Sequence, residues 1–410
     1  METKDVVVVG AGLAGLVAAQ DLTAAGLDVL VLDRADRVGG RVVTDEVDGF
    51  VLDRGFQVLN TSYPQVRKRI DLDGLDVQRL TAGALVRYDG RLRRVGNPLR
   101  EPASVPGQLS GHLLSPTEVL RLSRYSARAG MRSAAHLQCG RDVSAAQAFR
   151  EAGLGGAPTE RFLGPFLSGV LLDRELVTSR RYVDLVWRSF VRGESVLPAR
   201  GMGAIAAQLA RTLPAGVVRL GAAVDKVRPD GVDTAGGSVA ARAVVVAADP
   251  RVAADLLGRA APTMRSVTTF YFTAPTPPLD EPTIVLDGER SGPVVNTVVL
   301  SAVNSDFAPP GRVLISASVL GLAADEGEVR RHLSHLYGAS TLDWDVISRV
   351  EVADGLPALM PGQPLERNAT EGDLFVAGDH RTTPSIQGAM ASGTAVARAV
   401  RARLGQQFAD

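Results

Sequence analysis

Apolar residues along the chain follow a few distinct rhythms, and their order outlines a fold. Val6-Val7-Val8-Val9 is an unbroken β-branched run, the mark of a parallel strand buried on both faces. Leu13 to Ala25 repeats apolar residues at helical spacing, and Gly26 stands where a C-cap glycine belongs. Asp28 to Leu32 reads as a second strand. Val42 to Asp53 and Ala84 to Val95 are strand pairs around Asp48-Gly49 and Asp89-Gly90, both hairpin signals. Pro98 to Pro106 is a proline-punctuated crossing into helical texture. Ser115-Pro116-Thr117-Glu118 is a capping box with proline at the first helical position, opening a helix to about His136. Ser144 to Gln147 opens another, and Arg161 to Phe190 continues the helical pattern.

Gly201-Met202-Gly203 leads a helix to Arg211, after which Val217 to Val227 and Ala243 to Ala247 return to strands. Ser266 to Thr273, Val294 to Leu300 and Arg312 to Val319 predict an antiparallel or mixed sheet. Asp325 to Tyr337 is a helix closed by Gly338. A last strand, Leu374 to Ala377, runs through Gly378-Asp379 into a helix from about Ser385 to Leu404. No internal repeat is visible. The pattern predicts an α/β protein in which a Rossmann-type domain, formed by 1–84, 200–255 and 345–410, is interleaved with a substrate domain. The latter comprises a helical insert, 85–199, and a mixed sheet, 256–344.

Composition narrows the function classes. The chain has 410 residues, more than one core usually holds. Lysine plus arginine and aspartate plus glutamate both number 45, so no net field attracts nucleic acid. The single cysteine, Cys139, excludes an internal disulfide framework and fits a reducing compartment. The N-terminus has no signal layout, and no apolar run reaches the roughly 18 residues of a membrane span. A cytoplasmic protein is expected.

Chemistry concentrates at the two ends. Gly10-Ala11-Gly12-Leu13-Ala14-Gly15 places glycines at the three positions of a dinucleotide-binding turn. Gly10 suits the tight turn, Gly12 the approach of a pyrophosphate and Gly15 close helix–strand packing. Asp33 ends the second strand, where an acid accepts ribose hydroxyls. Arg34-Ala35-Asp36-Arg37-Val38-Gly39-Gly40-Arg41 then suits a second turn beside the same pyrophosphate, Arg41 supplying charge. Leu52 to Val58 brings Gly55, Phe56 and Gln57 back toward that region. At the other end, Phe375 to Met390 repeats the logic: a buried strand, the Gly378-Asp379 turn, an N-cap at Ser385 and a helix start. The free N–H groups of Ile386 and Gln387 favour an electron-rich ligand atom, and Asp379 can accept from ribityl hydroxyls.

These runs (6–41, Leu52 to Gln57 and 375–396) resemble the flavin amine oxidase and phytoene desaturase superfamily, nearest its desaturase- or protoporphyrinogen-oxidase-like branch. The resemblance implies a GR2-like domain binding FAD in an extended form, without a covalent link. It implies cofactor roles for Gly10, Ala11, Gly12, Ala14, Gly15, Asp33, Arg34, Gly39, Gly40, Arg41, Gly55, Phe56, Gln57, Val224 (adenine, through its backbone), Gly378, Asp379, Ser385, Ile386, Gln387 and Ala389. Two departures stand out: Asp33 replaces the commoner glutamate, and Arg34 lies one place before the usual arginine, where this chain has Ala35.

A flavin takes a hydride at N5, so oxidation, desaturation or isomerisation is expected, with O2 or a quinone as acceptor. Amine oxidases usually carry a lysine on a substrate-domain strand; here no lysine follows Lys226. An apolar, isoprenoid/carotenoid- or porphyrinogen-like substrate is therefore expected, with a small amine or a purely flavin-binding protein as alternatives. Phe162, Pro165, Phe166, Trp187, Phe190, Phe270 and Phe272 are the expected pocket walls, although each taken singly reads first as an ordinary core residue. His380, directly after the Gly378-Asp379 turn, is the nearest candidate for linkage or acid–base work, with a structural role as the plainer alternative. His332 and His335, one turn apart without further ligands, read as a solvated face rather than a metal site. Arg91 to Arg94 and Arg121 to Arg132 could meet an anionic membrane surface.

Overall fold

Two sheets organise the chain. In the computed structural model, which describes residues 2–97, 100–101 and 111–406, the first sheet is built on five parallel strands in the spatial order Val218–Arg219, Val29–Leu32, Glu2–Val9, Gly237–Val246 and Leu374–Val376. The Pro98 to Pro106 crossing lies outside the described residues apart from Arg100 and Glu101. Val6 to Val9 sit in the middle of this sheet, which explains an apolar run without alternation. Val6 and Val8 face a core shared with the Leu13–Thr23 and Ile386–Gln406 helices, while Val7 and Val9 face a core with Val232, Val239 and Ala253. Each fully buried valine of this kind contributes about 1.5–3 kcal/mol.

The Gly237–Val246 strand has a divided role. Its first half pairs antiparallel with Gly231–Thr234, extending through Val224–Arg228 into a three-stranded meander. Its second half pairs with the C-terminal strand through Val245↔Phe375 and Val246↔Val376. The carboxyl ends of the parallel strands thus open on one side, where ligands of such sheets bind.

The second sheet has seven strands in the order Asp345–Pro357, Met264–Thr273, Ile315–Leu320, Val294–Val299, Ile284–Asp287, Gly83–Tyr88 and Arg91–Gly96. All pairs are antiparallel except Ile284–Asp287 with Gly83–Tyr88. The 13-residue Asp345–Pro357 strand, grouped by sequence with the 345–410 cofactor segment, instead forms an edge of this sheet. Its alternation of half-buried and exposed residues is that of a strand with one face on a core. The Glu326–Tyr337 helix covers one face, and helices from 145 to 192 pack on part of the other. A small third sheet joins Leu59–Asn60, Ser195–Pro198 and Val77–Arg79, linking early and middle segments.

Local signals are realised closely. Asp48-Gly49 and Asp89-Gly90 both adopt positive φ, as a two-residue hairpin turn requires. Ser115 and Glu118 form the reciprocal capping box, although the helix ends at Met131 and a separate short one, Ala134–Gln138, follows.

Candidate functional site

The glycines of the first turn divide into three jobs. Gly10 has φ +110, and a Cβ there would lie 2.6 Å from the Ala247 carbonyl oxygen. A Cβ at Gly15 would overlap the Gly10 carbonyl oxygen, so only glycine lets the helix settle on the strand. A Cβ at Gly12 would meet nothing within 4 Å. Gly12 is also the N-cap of the Leu13–Thr23 helix and has no side-chain cap, so first-turn N–H groups are left for a ligand beside that open space. Ala11 and Ala14 beside it are buried.

The second glycine pair closes on the first. Gly39 donates its N–H to the Ala11 carbonyl at 2.9 Å and bridges Gly12, and a Cβ on Gly40 would stand 3.4 Å from Gly12 Cα. Asp33 accepts from the Ala11 N–H at 2.6 Å and the Ala35 N–H at 2.8 Å, which fixes its carboxylate at the strand end. Arg34 is exposed. A cleft of about 650 Å³ lined by Leu32, Arg219, Ala222, Ala223 and the Thr234 to Ser238 turn runs beside this strand, next to Val224.

The C-terminal anchor reaches the same place. Arg41 donates to Asp379 Oδ1 at 2.6 Å and to the Gly355 carbonyl at 3.0 Å, with Asp249 3.7 Å away. Although burial works against the charge, Asp379 and Asp249 hold the Arg41 pKa above its usual value. Gly378 (φ +148) donates to Ser392 Oγ, and Ser385 caps the last helix by accepting from Gly388 N–H at 3.0 Å. That leaves the Ile386 and Gln387 N–H groups without intrahelical acceptors, beside half-buried Ala389. The Gln387 side chain is otherwise engaged: its Oε1 accepts from Gln65 N–H at 2.9 Å, capping the Pro64–Arg69 helix. Gln57 donates to the Arg41 carbonyl at 3.1 Å, and half-buried Phe56 packs on the same core. A Cβ on Gly55 (φ +90) would come within 4 Å of Val352 and Val267 of the second sheet.

Two titratable groups here were shaped by burial. His380 is pushed down to about 4, chiefly by desolvation, and its buried Nδ1 has no partner. Burial thus favours its neutral form and leaves a polar atom for a ligand. Asp53, absent from the sequence reading, is pushed up to about 6 by burial, against the Thr44 hydroxyl and Met202 N–H that it accepts at 2.5 and 2.8 Å. Tyr182, also unforeseen, donates to the Pro384 carbonyl and so ties the helical insert to the terminal helix start.

The expected pocket walls separate. Phe270 and Phe272 stack under the Glu326–Tyr337 helix, on the face of the sheet turned away from the cofactor segments. They are core, not pocket, because strand alternation gives the opposite face to Thr269 and Tyr271. Phe162, Phe166, Trp187 and Phe190 do cluster, with Phe166–Phe190 edge to face at 4.9 Å. Phe162 and Trp187 are buried, and Phe166 and Phe190 half-buried, alongside buried Pro165. His332, read as solvated, is buried: Nδ1 accepts from Val294 N–H and Nε2 pairs with Asp287. Among the described residues no group of three potential metal ligands occurs, and no helix is long and apolar enough to cross a membrane.

This cradle suits FAD: the open side of Gly12, the first-turn N–H groups left free at the two helix starts and the orphaned His380 nitrogen lie along segments that converge from both ends of the chain. Residues 13–401 match the family described as flavin containing amine oxidoreductase. The chain is 29% identical over 202 residues to the chloroplastic protoporphyrinogen oxidase of Nicotiana tabacum, covering 47% of this chain and 34% of that one. It is 46% identical over 84 residues to putrescine oxidase of Kocuria rosea, covering 20% and 18%. The matches thus span about a third or less of these curated relatives. A putative protoporphyrinogen oxidase from Exiguobacterium sp. 255-15 shares the fold, with TM-score 0.71, 19% identity and coverage of 98% of this chain and 99% of that one. The chain belongs to the flavin containing amine oxidoreductase family, with FAD as its cofactor.

Proposed function

We propose that this chain removes a hydride from an apolar, isoprenoid/carotenoid- or porphyrinogen-like substrate, giving desaturation, oxidation or isomerisation. FAD supplies the two-electron acceptor for such a reaction. The residues position and insulate. Gly12 and the free first-turn N–H groups of the two helices would receive the anionic and electron-rich parts of the cofactor, Asp33 and Asp379 would accept its hydroxyls, and Arg41 would offset charge between them. The observation that carries the substrate class is the face of the second sheet turned to the cofactor segments. Val267, Thr269, Tyr271, Asn296, Val298, Ser316, Ser318 and Val350 hold no charged side chain there, and no lysine follows Lys226. The carboxylates beside this face, Asp53 and Asp379, are taken up by Thr44 and Met202 and by Arg41, so neither is left free for a cationic amine. Phe166 and Phe190 add a half-buried aromatic edge.

Anaerobic mixing tests the reading. Bleaching of the bound flavin by isoprenoid or porphyrinogen substrates, and not by amines, is the expected result. Flavin reduction by putrescine or aromatic amines, with peroxide release in air, would favour the amine reading that the match to putrescine oxidase raises.

The proposal includes docking on an anionic membrane surface, from which an apolar substrate could be drawn. The Pro116–Met131 helix exposes Leu120 and Met131 together with Arg121, Arg124 and Arg128. The Arg91 to Arg94 hairpin contributes less, since Arg93 and Arg94 face Asp89 and Glu281. Salt-sensitive sedimentation with phosphatidylglycerol vesicles, absent with phosphatidylcholine, is the expected outcome.

A further inference from the structure

The start of the Pro64–Arg69 helix breaks a local rule. Its N-cap is Tyr63, at a place usually filled by Ser, Thr, Asp or Asn, whose side chains accept from free first-turn N–H groups. Tyr63 forms no such cap. The Gln65 N–H is capped instead by Gln387 Oε1, at 2.9 Å, from the start of the terminal helix. Pro64 favours an extended residue before it, and Tyr63 has φ −61 and ψ 124. Positions that break a local rule without a local gain are where a functional constraint is expected.

Neighbours fix where this side chain stands. Asn60 Oδ1 accepts from the Ser62 N–H at 2.9 Å, and the Ser62 hydroxyl reaches the Ser189 carbonyl of the Arg180–Arg192 helix at 3.2 Å. From the same helix, buried Tyr182 donates to the Pro384 carbonyl. Tyr63 and Asp379 both lie close enough to Tyr182 to disfavour its ionisation. Phe56, Val58, Tyr63, Ile386 and Ala389 form a half-buried edge of one core. Tyr63 thus stands beside Tyr182 at the 384–387 helix start, whose free N–H groups suit the ring end of FAD.

The two phenols differ in one respect. The Tyr182 hydroxyl is spent on Pro384, whereas among the described residues the Tyr63 hydroxyl has no hydrogen-bond partner. Burial alone pushes Tyr63 up to about 12, so it stays a neutral donor on poorly solvated ground, and the half-buried side chain keeps an open face. A desolvated donor without a protein partner is costly until a ligand takes it. We propose that the Tyr63 hydroxyl is a FAD ligand, donating to an acceptor oxygen of the flavin ring system and so raising the reduction potential of the bound flavin. The proposal rests on the cofactor and not on the choice of substrate. Reduction places more negative charge on the ring oxygens, and a donor binds a charged acceptor more strongly than a neutral one.

Tyr63→Phe removes only the hydroxyl. Melting of the cofactor-free chain is expected to stay unchanged, because no protein group loses a bond. Tyr182→Phe, the control, is expected to lower it, since a buried contact to Pro384 is lost. In Tyr63→Phe the dissociation constant of oxidised FAD should rise about three- to tenfold in a fluorescence titration. The midpoint potential of the bound flavin should fall by roughly 15–30 mV, the two-electron equivalent of a further three- to tenfold loss on the reduced form. One flavin carbonyl band in the infrared spectrum should shift upward. Tyr63→Leu, which also lacks the hydroxyl, stands in should Tyr63→Phe fail to fold. A folded variant with the parental potential and carbonyl bands overturns the proposal, whatever its affinity. A lowered melt of the cofactor-free chain with those flavin properties intact would mark the hydroxyl as structural. Every measurement is made without substrate, so a flavin that no isoprenoid or porphyrinogen reduces sinks the proposed function and leaves this role of Tyr63 standing; parental flavin properties in the variant do the reverse.

Discussion

Arg41 donates to Asp379 at 2.6 Å across 338 positions of sequence, and this one ion pair links the second glycine turn to the C-terminal anchor. Asp379 is buried and Arg41 half-buried, so the pair stands between the exposed and the fully desolvated limits. Removing Asp379's charge leaves Arg41 with only the more distant Asp249, 3.7 Å away, to compensate it in a poorly solvated place.

Asp379→Asn is accordingly expected to cost about 1–3 kcal/mol of stability, less than a fully buried pair because water still reaches Arg41. It is also expected to weaken FAD binding. Urea unfolding with and without FAD separates the two: a variant as stable as the parent, with unchanged flavin affinity, would show that the pair is incidental.

Gly12 and Gly15 separate folding from cofactor binding. Gly12→Ala puts a methyl group into open space, so the stability of the cofactor-free chain should change by less than about 1 kcal/mol while FAD affinity falls at least tenfold. Gly15→Ala collides with the Gly10 carbonyl and is expected to destabilise by about 2 kcal/mol or more. Thermal melts and flavin titration of the two variants check both halves. Equal effects on melting would contradict this division.

Asp53 and His380 give opposite pH dependences. Asp53 sits at about 6 in the fold against 3.8 ordinarily, so the folded chain holds more protons between those values and its contribution to stability is lost as pH rises through them. His380 sits at about 4 against 6.5, so the unfolded chain holds more protons in that window and stability is lost as pH falls through it. Asp53→Asn should make stability rise more steeply between pH 4 and 6 than in the parent, and His380→Gln should flatten or reverse that rise. Denaturant midpoints of cofactor-stripped protein at half-unit pH steps measure both.

Phe272→Ala should be a pure stability variant. Phe272 is fully buried against Phe270 and Trp344 on the helix-covered face, so truncation is expected to cost about 3–5 kcal/mol. In whatever folded fraction remains at low temperature, flavin content and the rate of flavin reduction per flavin should match the parent. Phe166→Ala, on the half-buried edge, should instead alter substrate affinity with a smaller loss of stability. A change in reduction kinetics in the Phe272 variant would return that residue to the pocket.

Much of the protein is legible from short stretches because the physics there is local. Val6 to Val9, the Gly10 to Gly15 turn, the two Asp-Gly hairpins and the Ser115 capping box each depend on dihedral preference or on partners a few residues away. The same holds for the order of glycine, acid and N-cap near residue 380, which revealed a second anchor. What the linear chain could not determine was which face meets which. Phe270, Phe272 and Tyr271 differ only by alternation, and whether the even or odd side turns to the cofactor segments is set by a helix some 60 residues away. The register shift that brings Asn296 into line with Ser318 and Thr269, the burial that raises Asp53 and lowers His380, and the capture of Asp345–Pro357 by the second sheet arise from the same source. All require strands and helices distant in sequence to exclude water together, a condition that exists only once the chain is folded.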